Sequence, residues 1–287
     1  MSLVVAIMDE QPTGSFRGAA SWGEWQVHPL ADPTTLATDP QILSPQVRHL
    51  LVLAPTSGAR AAHVAASTVA AARPELPVRV LTSPVSAAVR IRAVEVAPET
   101  GSANAVYDSI LACLDTMVWG AWLPSVARLS SPAPTLRQHV QSWFTGPDGF
   151  LAVHGDPGWV ARLPLGEVAP ERRLRRVPAP GLVAASYECH AYGELPEAAI
   201  SALFAMGLTT RPTRREPVGD VASAWGSAKA VEFVISRPVA PGEAASAAPS
   251  LHCPACEEPV RGETCPFCRI AGESADRFES SLRGVTR

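Results

Sequence analysis

Two Cys-x-x-Cys pairs near the end of the chain, Cys253-Pro-Ala-Cys256 and Cys265-Pro-Phe-Cys268, constrain its folding more than any other stretch. Each pair presents two thiolates to one ion from a single turn, and two such turns complete the tetrahedral shell that Zn2+ prefers. Pro254 and Pro266 fix φ just after the first cysteine of each pair, and Gly262 lies in the return between them. Four protein ligands leave no position open for water or substrate, so the expectation is a structural zinc held by Cys253, Cys256, Cys265 and Cys268. A redox dithiol would place one pair at a helix N-terminus after a strand, a context missing here. His252 adjoins the first cysteine, but four thiolates already suffice.

These residues resemble a short zinc ribbon, the four-cysteine module of two facing knuckles, over about residues 251–270 only. The resemblance implies a module that binds nucleic acid, binds protein, or stabilises a chain end. Charge sorts these. From Leu251 onward Glu257, Glu258, Glu263, Glu273, Asp276 and Glu279 face Arg261, Arg269, Arg277, Arg283 and Arg287. An electrostatic grip on phosphates needs a basic excess, so protein contact is the expectation.

The chain of 287 residues, 47% hydrophobic, is long enough to bury a sizeable core. A net charge of -3 offers no global attraction to nucleic acid or to an anionic membrane, and no membrane contact is expected. Lys229 is the only lysine, which together with abundant Ala and Pro reads as a GC-rich bacterial genome. The first ten residues lack a basic signal-peptide region, and no apolar run is long enough to span a bilayer. Six cysteines, four of them in a metal pattern, fit a reducing cytoplasm.

Periodicity predicts an α/β fold: a mixed-sheet body containing a βαβ unit, a second smaller α/β lobe, and the C-terminal zinc-ribbon module. Strands are expected at Ser2–Met8, His49–Ala54 and Pro77–Leu81, with an Ala-rich helix from about Ala59 to Arg73 closing the βαβ unit. Val89 to Val96, alternating with Arg90, Arg92 and Glu95, reads as a half-exposed strand. Ser102 caps a helix reaching about Trp119, and a shorter helix spans Thr135 to Phe144. A hairpin joins Phe150–Val153 to Trp159–Leu163, and a strand at Leu182–Cys189 precedes a helix at Leu195–Met206. Val218–Trp225 and Ala230–Ser236 read as paired strands. The domains expected are 1–145, 146–237, a linker at 238–250 that decouples the zinc module from the body, and 251–287.

Outside the cysteine pairs the candidate sites are weaker. Thr56, Ser57, Gly58 and Arg60 open the βαβ helix and offer an anion site without a nucleotide-loop pattern. Arg172, Arg173, Arg175 and Arg176 form the one dense basic patch, suited to an acidic partner face. His154 with Asp156 reads first as a turn. Cys189 and His190 are strand neighbours that point to opposite faces, and Cys113 falls on a buried helical stripe. With no catalytic motif, the leading expectation is a non-catalytic adaptor or assembly component of a multiprotein complex, its partner another protein, with a homo-oligomer also open. The alternatives are a ligand-sensing or enzymatic α/β domain that takes a nucleotide-like anion near residues 56–60, and a nucleic-acid-binding accessory protein.

Overall fold

Leu3–Met8 forms β1, every residue of it buried, as an unbroken apolar run requires of a strand covered on both faces. The computed structural model describes residues 3–8, 20–22, 25–30, 33–97, 102–144, 146, 148–155, 158–166, 173–174, 187–237 and 251–274. Ala20–Trp22 is β2, Trp25–Leu30 β3, His49–Pro55 β4 and Val78–Ser83 β5. They make one sheet in the order β2-β3-β1-β4-β5, parallel except for the β2 edge.

Helix α1, Ala59–Ala72, crosses from β4 to β5 and completes the expected βαβ unit. Its small buried residues Ala62, Ala65 and Val69 meet Val4, Ala6, Leu50 and Val52 on one face of the sheet. The opposite face, Leu3, Val5, Ile7, Leu51 and Leu53, packs on α2 (Ala87–Glu95) and α3 (Ala103–Thr116).

Helix α2 corrects the strand expected at residues 89–96. Every residue from Ala87 to Val94 is buried, both arginines included. The guanidinium of Arg90 donates to the Val85 carbonyl at 2.6 Å. Arg92 donates to Ser236 Oγ at 3.0 Å, to Glu188 at 2.6 Å and to Glu95 at 3.1 Å. The alternation of arginine with valine and isoleucine therefore records buried polar partners and not an in–out strand pattern. A helix enclosed on all sides carries no polar stripe to betray its period.

A second sheet follows. Val118–Leu123 is β6, Phe150–His154 β7, Trp159–Arg162 β8, Glu188–Tyr192 β9, Thr213–Arg215 β10 and Val231–Ser236 β11. Their order is β10-β9-β11-β6-β7-β8, antiparallel except for β10 with β9. The strand expected at Leu182–Cys189 falls largely outside the described residues, and β9 begins at Glu188. Between β6 and β7 lies α4, Leu136–Ser142, whose N-cap Thr135 and Gln138 form a reciprocal capping box. Helix α5, Glu197–Met206, covers the outer face through Ala199, Leu203 and Met206, against Cys189, Ala191, Phe233 and Ile235. The inner face meets α2, where Tyr192 Oη donates to the Ala88 carbonyl at 3.2 Å. The layers thus run α1, first sheet, α2 with α3, second sheet, α5.

Val221–Trp225 is α6, a helix where a strand was expected. Asp220 accepts from Ser223 N at 3.0 Å, and Gly226 ends the helix at φ 68°. These two termini outweigh a short apolar run. A Cβ at Gly226 would lie 2.4 Å from the Arg128 carbonyl oxygen, so the turn requires glycine.

The cysteine pairs sit on a small sheet of β12 (Leu251–His252), β13 (Pro259–Val260) and β14 (Glu273–Ser274), ordered β13-β12-β14. Linker composition suggests a module decoupled from the body, yet Cys253, Val260, Cys265 and Phe267 belong to the same apolar core as Leu3 and Val5 of β1 and Tyr107 and Ile110 of α3. Residues 238–250 and those beyond 274 lie outside the described residues. Among the described residues no helix is long and apolar enough to cross a membrane.

Candidate functional site

The parallel strands β4 and β5 end side by side, Pro55 opposite Ser83. Open α/β sheets take ligands at this carboxyl edge. Here the edge faces the second sheet across a cleft of ≈ 580 Å³, within the range of small-molecule sites. Pro55 and Ser57 after β4, and Pro84 to Ala87 with Arg90 after β5, form one wall. Trp119, His154 and Glu232 from the second sheet and Val218 to Trp225 around α6 form the other.

Ser86 occupies the N-cap of α2 in extended conformation, yet its side chain makes no capping hydrogen bond. Its Oγ is buried and has no hydrogen-bond partner among the described residues. An unsatisfied buried hydroxyl is costly, and at the cleft wall it leaves a hydrogen-bonding group free for a bound molecule. Beside it two features attract an anion, opposite the carboxylates of Asp220 and Glu232 on the facing wall. The first turn of α2 opens on the cleft at Ser86 and Ala87, where a helix start carries its unpaired amides, and Arg90 lies buried one turn on.

The facing wall is aromatic. Trp119 and His154 stack with ring centroids 3.8 Å apart, and Trp225 meets both edge-on at 5.8 and 5.2 Å. Trp225 Nε1 donates to Glu232 at 2.7 Å, fixing the indole. Burial holds the His154 pKa below its ordinary value, so the imidazole is neutral and offers an apolar face. The Ser86 and Arg90 wall therefore suits a charged head, and the aromatic part of the other suits a hydrocarbon chain, with the carboxylates of Asp220 and Glu232 beside it.

The residues singled out from sequence are dispersed. Ser57 lines the cleft, whereas Arg60 lies in a shallow groove on α1 with His63, Val64 and Thr68. Thr56 and Gly58 belong to the 3-10 turn before α1 and are not among the residues lining the cleft. Of the basic patch, Arg173 is exposed, while Arg172, Arg175 and Arg176 lie outside the described residues, as does Asp156. Cys113 is buried and its pKa is pushed up to about 11 by desolvation, which leaves it an unreactive thiol.

Cys189 and His190 do point to opposite faces of the second sheet. Cys189 packs beneath α5, and burial raises its pKa to about 12. His190 falls to about 4 through burial and the charges of Arg92 and Arg215, and its Nδ1 accepts from Arg215 Nε at 3.1 Å. The fold thus favours neutral imidazole. That stability is complete above the ordinary value of 6.5 and is lost as pH falls toward 4. Denaturation midpoints are expected to drop across this window, and His190→Gln to flatten the drop; equal slopes for both proteins would refute the assignment.

The four cysteine sulfurs lie within 4.8 Å of one another. Cys256 and Cys265 Sγ are 3.7 Å apart, close to the ~3.8 Å edge of a tetrahedron with 2.3 Å metal–sulfur bonds. The two turns match bond for bond. Cys253 N donates to Glu258 O and Glu257 N to Cys253 O, just as Cys265 N donates to Ile270 O and Arg269 N to Cys265 O, each at 2.9 Å. Glu257 and Arg269, each following the second cysteine, both adopt positive φ, 63° and 59°. The donor set fits a metal ion.

Sequence reasoning missed how this centre grips the body. Glu258 accepts from Ala103 N at 2.9 Å, adding a second cap to α3 beside Ser102, and Asn104 Nδ2 donates to the Pro259 carbonyl at 2.8 Å. Asn104 is buried and its Nδ2 lies 3.9 Å from Cys265 Sγ. Phe267 meets Tyr107 and His49 edge-on at 6.1 and 5.0 Å.

Two α/β layers enclose a cleft at the carboxyl edge of a parallel sheet, the place where open α/β folds take their ligands. The fold resembles that of a DegV family protein from Eubacterium eligens loaded with heptadecanoic acid: TM-score 0.51, 9% identity, covering 82% of this chain and 99% of that one. A DegV family protein from Corynebacterium glutamicum matches at TM-score 0.48 and 16% identity over 81% and 96% of the two chains. A fatty-acid-binding DegV family protein from Thermus thermophilus matches at 0.41 and 16% over 72% and 77%. No family model and no curated protein matches the sequence.

These findings correct the adaptor expectation. A protein-contact role, membership of a multiprotein complex and a protein partner all rested on the absence of motifs, whereas the fold found is like that of a protein loaded with heptadecanoic acid. A cleft assembled from separate segments leaves no local motif, which is why the sequence alone directs attention away from it.

Proposed function

We propose that this protein binds an amphiphilic carboxylate of the fatty-acid class in the cleft between its two sheets. The observation that carries the reading is Ser86, a buried hydroxyl without a partner among the described residues, at the N-terminus of α2. The carboxylate would accept from Ser86 Oγ and the first-turn amides, with Arg90 supplying positive charge. Its chain would lie against Val85, Val218, Val221 and the Trp119–Trp225 wall. The heptadecanoic acid carried by the Eubacterium eligens protein supports this ligand class. In the same reading the second lobe starts at β6 and not at residue 146 as expected from sequence, because Val118–Leu123 belongs to the second sheet. The four cysteines hold a structural Zn2+ as a zinc ribbon, because thiolate ligands at tetrahedral spacing suit that ion.

Calorimetric titration with palmitate tests the proposal. Saturable binding at one site per chain is expected, weakened about tenfold by Ser86→Ala, the loss of one charge-assisted hydrogen bond. No binding by the native protein, or equal binding by the variant, would refute it.

A further inference from the structure

Helix α4 is inside out. Two of its polar residues face the protein: Ser142 is 6% exposed, and Gln138 Nε2 donates to the Val160 carbonyl at 2.7 Å. The large apolar residues of α4 and the turn that ends it face away, with Leu136 81%, Val140 43%, Trp143 73% and Phe144 76% exposed. At 100° per residue these four fall on one arc of about 100°, bordered by Arg137 on one side and His139 on the other. Helices of soluble proteins carry the opposite pattern unless the outward face meets something apolar.

We propose that this face docks on an anionic lipid bilayer. Charge supports that occupant: no acidic residue occurs between Asp115 and Asp148, while Arg128 and Arg137 lie within that stretch. So does composition, since Trp and Phe on an apolar arc beside arginine are the side chains that settle at the lipid interface. Area argues against a second copy of the chain. The four side chains expose on the order of 500 Å², given 150–250 Å² for an aromatic residue, short of the ~800 Å² per partner of a stable protein interface. The overall net charge of -3 does not prevent this, because the attraction is local to the acid-free stretch.

The test is flotation of the full-length, metal-loaded protein with vesicles of phosphatidylglycerol and phosphatidylcholine, against vesicles of phosphatidylcholine alone. Flotation with the anionic vesicles is expected. The double variant Trp143→Ser with Phe144→Ser should reduce the bound fraction about tenfold, through the loss of two inserted aromatics, while its melting temperature stays unchanged because both side chains are exposed. Failure of the native protein to float, or flotation of the variant at the native level, overturns the proposal. So does a native dimer in solution that the double variant dissociates, which would make the face a protein interface. No cleft ligand enters this experiment, so it and the palmitate titration fail separately.

Discussion

Ser86→Asp is expected to abolish fatty-acid binding while leaving the fold as stable as before, or more so. Aspartate is among the best N-cap residues, and a carboxylate at the start of α2 gains from the helix dipole. The native serine makes no capping bond there, so the substitution removes none. The same carboxylate occupies the position proposed for the ligand's own head group. Like charges in a partly buried cleft repel, and the two would compete for the same amides and for Arg90. A loss of about 100-fold or more in palmitate affinity follows, roughly 3 kcal/mol at 1.4 kcal/mol per decade. The measurements are titration calorimetry and a thermal melt on the same sample. Retained affinity would move the head group elsewhere in the cleft, and collapse of the melt would show that Ser86 is structural.

How far the sequence discloses this arrangement depends on how local each feature is. The cysteine pairs are legible because metal spacing is written within sixteen residues, from Cys253 to Cys268. The βαβ unit is legible because β1 and β4 are continuous apolar runs and α1 carries its alanines at helical spacing. Helix α2 is not legible. Its buried Arg92 finds partners 96 and 144 residues away, in Glu188 and Ser236, which no local window contains. Ser86 before Ala87 and Ala88 is a cap signal, but the Val–Arg alternation that follows outweighs it when periodicity is the guide. The cleft draws on separate segments scattered between Pro55 and Glu232, so its convergence is a property of topology alone.

Removing the metal is expected to destabilise the whole protein and not only its C-terminal turns. Without an ion, four thiols at close spacing no longer tie the two turns together, which leaves the two-residue pairings of β12 with β13 and β14 to join them. Their release would take Cys253, Val260, Cys265 and Phe267 out of the core they share with β1, α2 and α3. Loss of a buried phenylalanine alone costs about 3–5 kcal/mol. Glu258 would also leave the N-terminus of α3, and Asn104, buried beneath the module, would lose its carbonyl partner. In a chain of this size each kcal/mol shifts the melting temperature by roughly 2–4 °C, so chelation should lower it by on the order of 10 °C. Cys256→Ser should act in the same direction. Differential scanning calorimetry with and without a chelator reads this directly. One main transition that moves down as a unit is the expected result. An unmoved main transition, with a small separate one lost, would show that the module rests on the body without stabilising it. The same shift reaches the cleft, since α3 packs on α2 and α2 begins at Ser86. Palmitate affinity should therefore fall on chelation, and a metal-free protein that binds palmitate normally would separate the two sites.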